Sequence, residues 1–386
     1  MILLEHELSS LAKIGDGAHA SLKRINKGIP YLTAKNISKS GIDYKNINYI
    51  SEKTYNQYFK NTSNALTQPK KDDILYSIIG SIGGVYVVRD ERIGISSSIA
   101  ILRADKSIIL PEYLAYYMNG PIFDANIQAV RGGVAQGFMS LAKLGSIIIK
   151  YPEDINYQKK IVDILSTYDN LIENNQKQIK FLEEAAQRLY KEWFIDLRFP
   201  GHENVEIVDG IPEGWKMEPV GRVIKTVPRT LQIKTKDYLL DGTIPIIDQS
   251  REFIAGYTNL EDAIVLSETP VIVFGDHTRI LKYIQFPFAR GGDGTQLIIS
   301  NTELMPEPLL YLSLLSVDLS NYHYARHFKY LKEEMIIIPS QEIADSFNNI
   351  VDPLFKRVQV LRDINRNCEQ ARDRLLPKLM SGEIEV

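Results

Sequence analysis

EEAAQRLYKEWF occupies residues 183–194, and EQARDRLLPKLM follows at 369–380, an offset of 186 positions. Glu183, Ala185, Arg188 and Leu189 match Glu369, Ala371, Arg374 and Leu375 at that offset. Upstream the identities fade, but the apolar spacing persists. Ile161, Leu165, Tyr168, Ile172, Asn175, Ile179, Leu182, Ala186, Leu189 and Trp193 follow one another in steps of four and three, which is the seam of a heptad helix. Phe347, Val351, Leu354, Val358, Leu361, Asn365, Cys368, Arg372, Leu375 and Leu379 repeat that register. Two seams in one register predict two long helices that pair.

Side chains choose the direction of pairing. If partner numbers sum to 540, Asn175 faces Asn365, Tyr168 faces Arg372, Ile172 faces Cys368 and Trp193 faces Phe347. Two mid-seam amides can then satisfy each other, whereas a parallel register opposes each to an apolar residue. The seams therefore read as antiparallel, with Leu189 meeting Val351. Pro353 after Asp352, and Ser-Thr-Tyr-Asp at 166–169, look like helix starts. They predict a break near 166 and 352, each followed by a helix of roughly 27 residues, or about 40 Å.

The segments before the helices also correspond. GIPYLTAKNIS (28–38) resembles GTIPIIDQS (242–250), and DDILYSIIGSIGGVYVV (72–88) has its counterpart in TPVIVFGDHTRILKYIQ (269–285). Each of the latter reads as two strands around a tight glycine-bearing turn. LPEYLAYYMNG (110–120) and LMPEPLLYLSLL (304–315) are helices opened by proline, and FMSLAKLGSIIIKYP (138–152) matches HFKYLKEEMIIIP (327–339). The chain thus divides into a first globular domain at 1–155, a helical region at 156–199, a second globular domain at 200–340 and a second helical region at 341–386. Ile211-Pro-Glu-Gly-Trp215 opens the second globular domain.

Composition frames this layout. At 386 residues, 44% apolar and 24% charged, the chain suits a soluble protein of at least two domains. The N-terminus MILLEHELSS is no signal peptide, no stretch is apolar enough for a membrane span, and one cysteine can form no internal disulfide. A cytoplasmic location follows. Lys+Arg exceed Asp+Glu by 4 in residues 1–155 and fall short by 6 in 200–340, so no basic stripe holds nucleic acid by charge alone.

QKKIVDIL (158–165) followed by LYKEWF (189–194), the PEGW entry (212–215) and LLPKLMSGEI (375–384) together resemble the specificity subunit of type I restriction–modification systems. The resemblance covers the whole chain and the order of its parts. It implies an α+β architecture: two α/β target-recognition domains, separated by two long helices pairing as an antiparallel coiled coil with pseudo-twofold symmetry. It implies double-stranded DNA as ligand, each domain reading half of a bipartite site. Two modification (M) methyltransferase subunits and restriction (R) subunits are the implied partners. The chain itself would be non-catalytic and hold no metal, with S-adenosylmethionine and ATP/Mg on partner subunits.

Base edges are read by Arg, Lys, Asn, Gln, Ser and Thr, and phosphates are held by Lys, Arg and Tyr. Candidate contacts come from loops at matching places in the two copies. In the first domain they are Lys35, Asn36, Ser38, Lys39, Ser81, Arg131 and Gln136. In the second they are Gln249, Ser250, Arg251, His277, Thr278, Arg279, Tyr322, His323, Tyr324, Arg326, His327 and Lys329. An enzyme reading, a stand-alone nuclease or methyltransferase, lacks an NPPY/DPPY tetrapeptide, a GxxxxGK[ST] loop and a Glu-x-Lys element. Gly80-Ser-Ile-Gly-Gly84 lies between strands and reads as a hairpin turn, not a phosphate cradle. A coiled-coil adaptor without DNA contact is the third reading.

Overall fold

The structure, a computed structural model, describes residues 2–38, 41–44, 46–61, 65–131, 137–228, 230–265, 270–322 and 326–386. It forms two compact units, Met1–Glu173 with Asn365–Val386 and Asn174–Ile364. Each has its own apolar core.

In the first unit a four-stranded antiparallel sheet runs in the order Ala12–Asp16, Ile99–Ala104, Ile74–Ser77, Val85–Val87. The run Ile74-Leu75-Tyr76-Ser77 shows no polar alternation because both faces are covered. Ile74, Tyr76, Ala100 and Leu102 pack toward the Pro111–Asn119 helix residues Tyr113, Leu114 and Tyr117. Leu75, Ile99 and Ile101 pack the other way, toward Tyr31, Leu32 and Ile50. Those last residues belong to a three-stranded sheet ordered Asn48–Ile50, Ile29–Leu32, Gly94–Ile95, with one antiparallel and one parallel pairing. Leu3–Glu7 pairs with Ile148–Pro152, placing a strand immediately before the first long helix. Each fully buried Leu, Ile or Tyr in this arrangement contributes about 1.5–3 kcal/mol.

The second unit repeats this internal plan. Its four-stranded sheet is ordered Ile224–Thr226, Thr295–Ser300, Val271–Gly275, Leu281–Ile284. Its three-stranded sheet is ordered Gly256–Thr258, Ile244–Ile247, Ala289–Arg290, again with one antiparallel and one parallel pairing. Lys216–Pro219 pairs with Met335–Ile338, and the helix Glu307–Ser316 covers one face as Pro111–Asn119 does. Every segment correspondence read from the sequence is therefore a correspondence of strands and helices. The helix Pro121–Arg131 has no helical counterpart after Ser316 among the described residues.

The long helices are uninterrupted, contrary to the expected breaks. The first runs Ile155–Tyr190 and ends in a π turn at Lys191–Ile195; the second runs Gln341–Ser381. The hydroxyls of Ser166 and Thr167 donate to the Asp163 carbonyl at 3.3 and 2.7 Å, so they back-bond inside the helix and cap nothing. Pro353 is exposed mid-helix. An interior proline costs about 3 kcal/mol. Burial of the flanking Val351 and Phe355 in the second unit's core supplies roughly 1.5–3 kcal/mol each, enough to carry the helix through.

Within each unit the two helices run antiparallel. In the first, Asp169 Oδ1 accepts from Arg372 Nη1 at 2.6 Å, and the Tyr157 hydroxyl accepts from the Val386 amide at 3.0 Å. Arg372 thus pairs with Asp169, one position from the expected Tyr168. In the second, Glu183 accepts from Arg362 at 2.6 Å and Trp193 meets Phe347 at 5.5 Å between centroids. The Trp193–Phe347 contact is the one the seam register predicts. Leu165, Ile172, Asn175, Val351, Val358, Leu361 and Asn365 are buried. Tyr168, Ile179, Leu182, Leu189, Leu354, Cys368, Arg372 and Leu375 are half-buried. Asn175 and Asn365 fall in different units.

Candidate nucleic-acid interface

In the second unit, four loops converge at one end of the four-stranded sheet, and their joints are hydrogen bonds of Gln249 and Asp276. Gln249 Oε1 accepts from the His277 amide at 3.0 Å, its Nε2 donates to the Asp293 carbonyl at 2.6 Å, and its own carbonyl accepts from the Thr278 hydroxyl at 2.7 Å. Asp276 is 4% exposed. Its amide donates to the Gly294 carbonyl at 2.7 Å, and its carbonyl accepts from the His327 amide at 2.9 Å. Its Oδ1 accepts from the Phe328 amide at 2.8 Å. The helix His327–Glu333 has no cap of its own at Arg326, so Asp276 satisfies its first amides from another loop. Gly294, at φ +76°, fits where a Cβ would lie 2.7 Å from His277 Cδ2 and 2.9 Å from Gln249 Nε2.

This scaffold leaves Arg251, His277, Thr278, Arg326 and Lys329 exposed. Arg279, held at φ +60°, spends one guanidinium nitrogen on the Leu319 carbonyl at 2.8 Å. Arg326, Lys329 and Arg251 are long cationic side chains suited to phosphates or guanine edges. The exposed carboxylate of Asp293, which accepts from Gln232 at 3.2 Å, offsets part of their charge. Local cations on a unit with net negative sequence can thus face a polyanion.

Other candidates turn inward. Tyr322 stacks on Tyr330 at 4.1 Å and donates its hydroxyl to Glu334 at 2.9 Å. His327 is buried, and desolvation, helped by the charge of Arg279, lowers its pKa; its ring is neutral near pH 7. Ser250 donates its amide to Asp248 Oδ1 at 2.8 Å. His323 and Tyr324 lie outside the described residues.

The first unit shows the same construction in simpler form. Its hairpin turn carries Gly80 and Gly83 at φ +77° and +110°, conformations open to glycine at no steric cost. The turn is tied to the segment before the Leu141–Gly145 helix: the Gly80 amide donates to the Gly137 carbonyl at 2.6 Å, and the Met139 amide to the Ile78 carbonyl at 2.8 Å. That helix carries its own cap, Ser140, whose hydroxyl accepts from the Lys143 amide at 3.2 Å. Ser81 is exposed at the turn. Lys35 and Ser38 are exposed, and Ser38 donates to the Gly41 carbonyl at 3.3 Å. Asn36 is buried. Its Oδ1 accepts from the Thr33 amide and hydroxyl, both at 2.9 Å, and its Nδ2 donates to the Asn46 carbonyl at 3.2 Å. It braces the loop that presents Lys35. Arg131 ends the Pro121–Arg131 helix. Lys39 and Gln136 lie outside the described residues.

Sequence reading missed Asp276 and Gly294. Asp276 stood within the quoted turn, and the missing signal was the uncapped start of the next helix 50 residues on, a need that only the fold connects to it. Gln158 belongs with them. Fully buried, it accepts the Leu110 amide at 2.8 Å and donates to the Pro152 and Ile108 carbonyls at 2.8 and 3.0 Å. It welds the strand before the long helix to the proline-opened helix.

Residues 6–184 match the family described as the type I restriction modification DNA specificity domain. The MjaIX specificity subunit of a type I restriction enzyme from Methanocaldococcus jannaschii is 28% identical over 306 residues, covering 73% of this chain and 71% of that one. The HindI specificity subunit of Haemophilus influenzae is 31% identical over 134 residues, 33% of this chain and 28% of that one. The crystal structure of a type I restriction–modification S subunit from M. genitalium superimposes with a TM-score of 0.59 at 17% identity, covering 98% of this chain and 96% of that one. The last likeness shows a shared fold. Residues 6–184 thus carry the family's specificity domain, and in its repeated internal plan and long helices the chain as a whole is similar to type I restriction–modification specificity subunits.

Proposed function

We propose that this chain is the DNA sequence-recognition subunit of a type I restriction–modification complex, with no catalytic step of its own. In this reading residues 1–155 and 200–340 each recognise one half of an asymmetric bipartite site. The helical regions 156–199 and 341–386 set the non-specific spacer and dock two modification methyltransferase subunits; restriction subunits join that core. S-adenosylmethionine and ATP/Mg belong to those partners. The observation that carries the reading is the duplicated plan with unlike loops: both units present the same hairpin turn beside the same helix start, but furnish them with different side chains. Equivalent platforms with different loop chemistry suit two half-sites of different sequence.

The adaptor reading draws support from the deficit of 6 positive charges in residues 200–340. Affinity purification of the full chain from its host separates the two. The DNA reading expects a DNA methyltransferase to co-purify and the assembly to be retained on duplex DNA, more weakly as salt rises. Partners without methyltransferase activity, and no retention on duplex DNA, would overturn it in favour of an adaptor.

A further inference from the structure

Lys282 stands on the second strand of the hairpin in the second unit, opposite Val273. Val273 and Ile284 line an apolar cluster with Val271, Phe288 and Leu297, and by strand alternation Lys282 points into that cluster. Its side chain is 4% exposed. The ammonium donates to the Glu252 carbonyl and lies 3.9 Å from Asp248 Oδ1. Asp248 and Glu252 are the two feet of a five-residue arch whose crown is Gln249, Ser250 and Arg251. Asp248 is itself fixed by the Tyr238 hydroxyl at 3.2 Å and the Ser250 amide at 2.8 Å. Beyond the second foot, Phe253 lies under the Arg362 guanidinium at 3.9 Å.

Core packing gives no reason for a lysine here. An apolar side chain of similar volume fills such a site at equal or lower cost, because the charge must be desolvated. What an ammonium adds is a simultaneous grip on a carboxylate and a carbonyl at opposite feet of the arch. The first unit carries Tyr86 at the corresponding place, opposite Leu75. Tyr86 donates to Glu91 at 2.5 Å and is hydrogen-bonded to Tyr44, in the segment after the equivalent strand Ile29–Leu32. The position is the same and the chemistry differs, as it does for the loops themselves.

We propose that Lys282 is a positioning residue for recognition: by holding both feet of the Asp248–Glu252 arch, it fixes how the exposed Arg251 meets the bases or phosphates of one half-site. This rests on the reading that the second unit contacts DNA. A buried lysine kept for function makes an unusual signature, in which removing it leaves stability equal or higher while recognition falls. A packing residue would lose both together.

The test uses the full chain with its co-purifying methyltransferase subunits. Wild type and Lys282→Met are each used to select from a pool of duplexes with randomised centres, and their denaturation midpoints are compared. The expected result is a Lys282→Met midpoint at or above that of wild type. One half of the enriched motif becomes degenerate, the other half is kept, and affinity for the wild-type motif falls about tenfold. Enrichment of the unchanged motif by Lys282→Met, with affinity within twofold of wild type, would overturn the proposal alone. A lower midpoint with both halves lost would reduce Lys282 to a structural residue and overturn it too. If wild type enriches no motif, the DNA reading fails, and this inference fails with it.

Discussion

Phe347→Ala is the sharpest probe of the helix pairing in the second unit. Phe347 is fully buried on the second long helix. It meets Phe194 at 4.9 Å, Trp193 at 5.5 Å and Tyr190 at 6.4 Å between centroids, all three in edge-on geometry. Truncating a buried phenylalanine costs about 3–5 kcal/mol. Three rigid aromatic partners cannot collapse into the gap easily, which puts this site near the upper end, about 4–5 kcal/mol. For a unit of this size that is a fall in Tm of roughly 8–20 °C. Val360→Ala is the matched control, since Val360 is 47% exposed on the same helix and should change stability by less than about 0.5 kcal/mol. Urea denaturation of the full chain, followed by Trp193 and Trp215 fluorescence, reports on this core. A double-mutant cycle with Trp193→Ala should return a coupling of at least about 0.5 kcal/mol. A Phe347→Ala protein within about 1 kcal/mol of wild type, with no coupling to Trp193, would refute the seam pairing.

Three further outcomes follow from the same geometry. Pro353→Ala should stabilise the chain by about 1–3 kcal/mol, because it restores an interior helical amide at an exposed position; a loss of stability in denaturant melts would show that the proline is needed where it stands. Burial depresses the Lys282 ammonium to about 8, against the attraction of Asp248 and the Glu252 carboxylate. The unfolded chain therefore holds a proton that the folded chain has released between pH 8 and about 10.5, and folding is favoured as pH rises through that window. The stability of wild type relative to Lys282→Met should grow there by up to about 3 kcal/mol and stay flat below pH 7; a flat difference throughout would contradict the burial of the charge. Asp276→Ala should cost about 0.5–2 kcal/mol by uncapping His327–Glu333. It should also weaken binding through the second unit more than through the first, as half-site duplexes would reveal by equal or unequal losses.

Much of the fold was legible because it rests on periodicities. The heptad seam placed Trp193 against Phe347, and the strand–turn–strand patterns around Gly80 and Gly275 paired as read. The continuous helix through Pro353 was not legible. Proline at N1 is a local rule, and burial of Val351 and Phe355 by residues distant in sequence overrode it. The candidate interface can be read in the sequence as loops, whereas the exposure of its individual residues cannot. Lys35, Arg251, Arg326 and Lys329 are exposed, whereas Asn36, Gln249 and Tyr322 spend their polar atoms bracing the loops themselves. Residue type says what a side chain can donate or accept; only the folded contacts say what has already taken it. For the same reason Asp276 and Lys282 escaped notice, since each acts on a segment 30 to 52 residues away.

The central claim, that two unlike units read two halves of one site, is tested most directly by mapping methylated adenines in genomic DNA from cells with and without this chain. The account predicts an asymmetric motif, two short specified sequences separated by a fixed gap, present with the chain and absent without it. Identical methylation in the two genomes, or a lost motif that is short and ungapped, would contradict it.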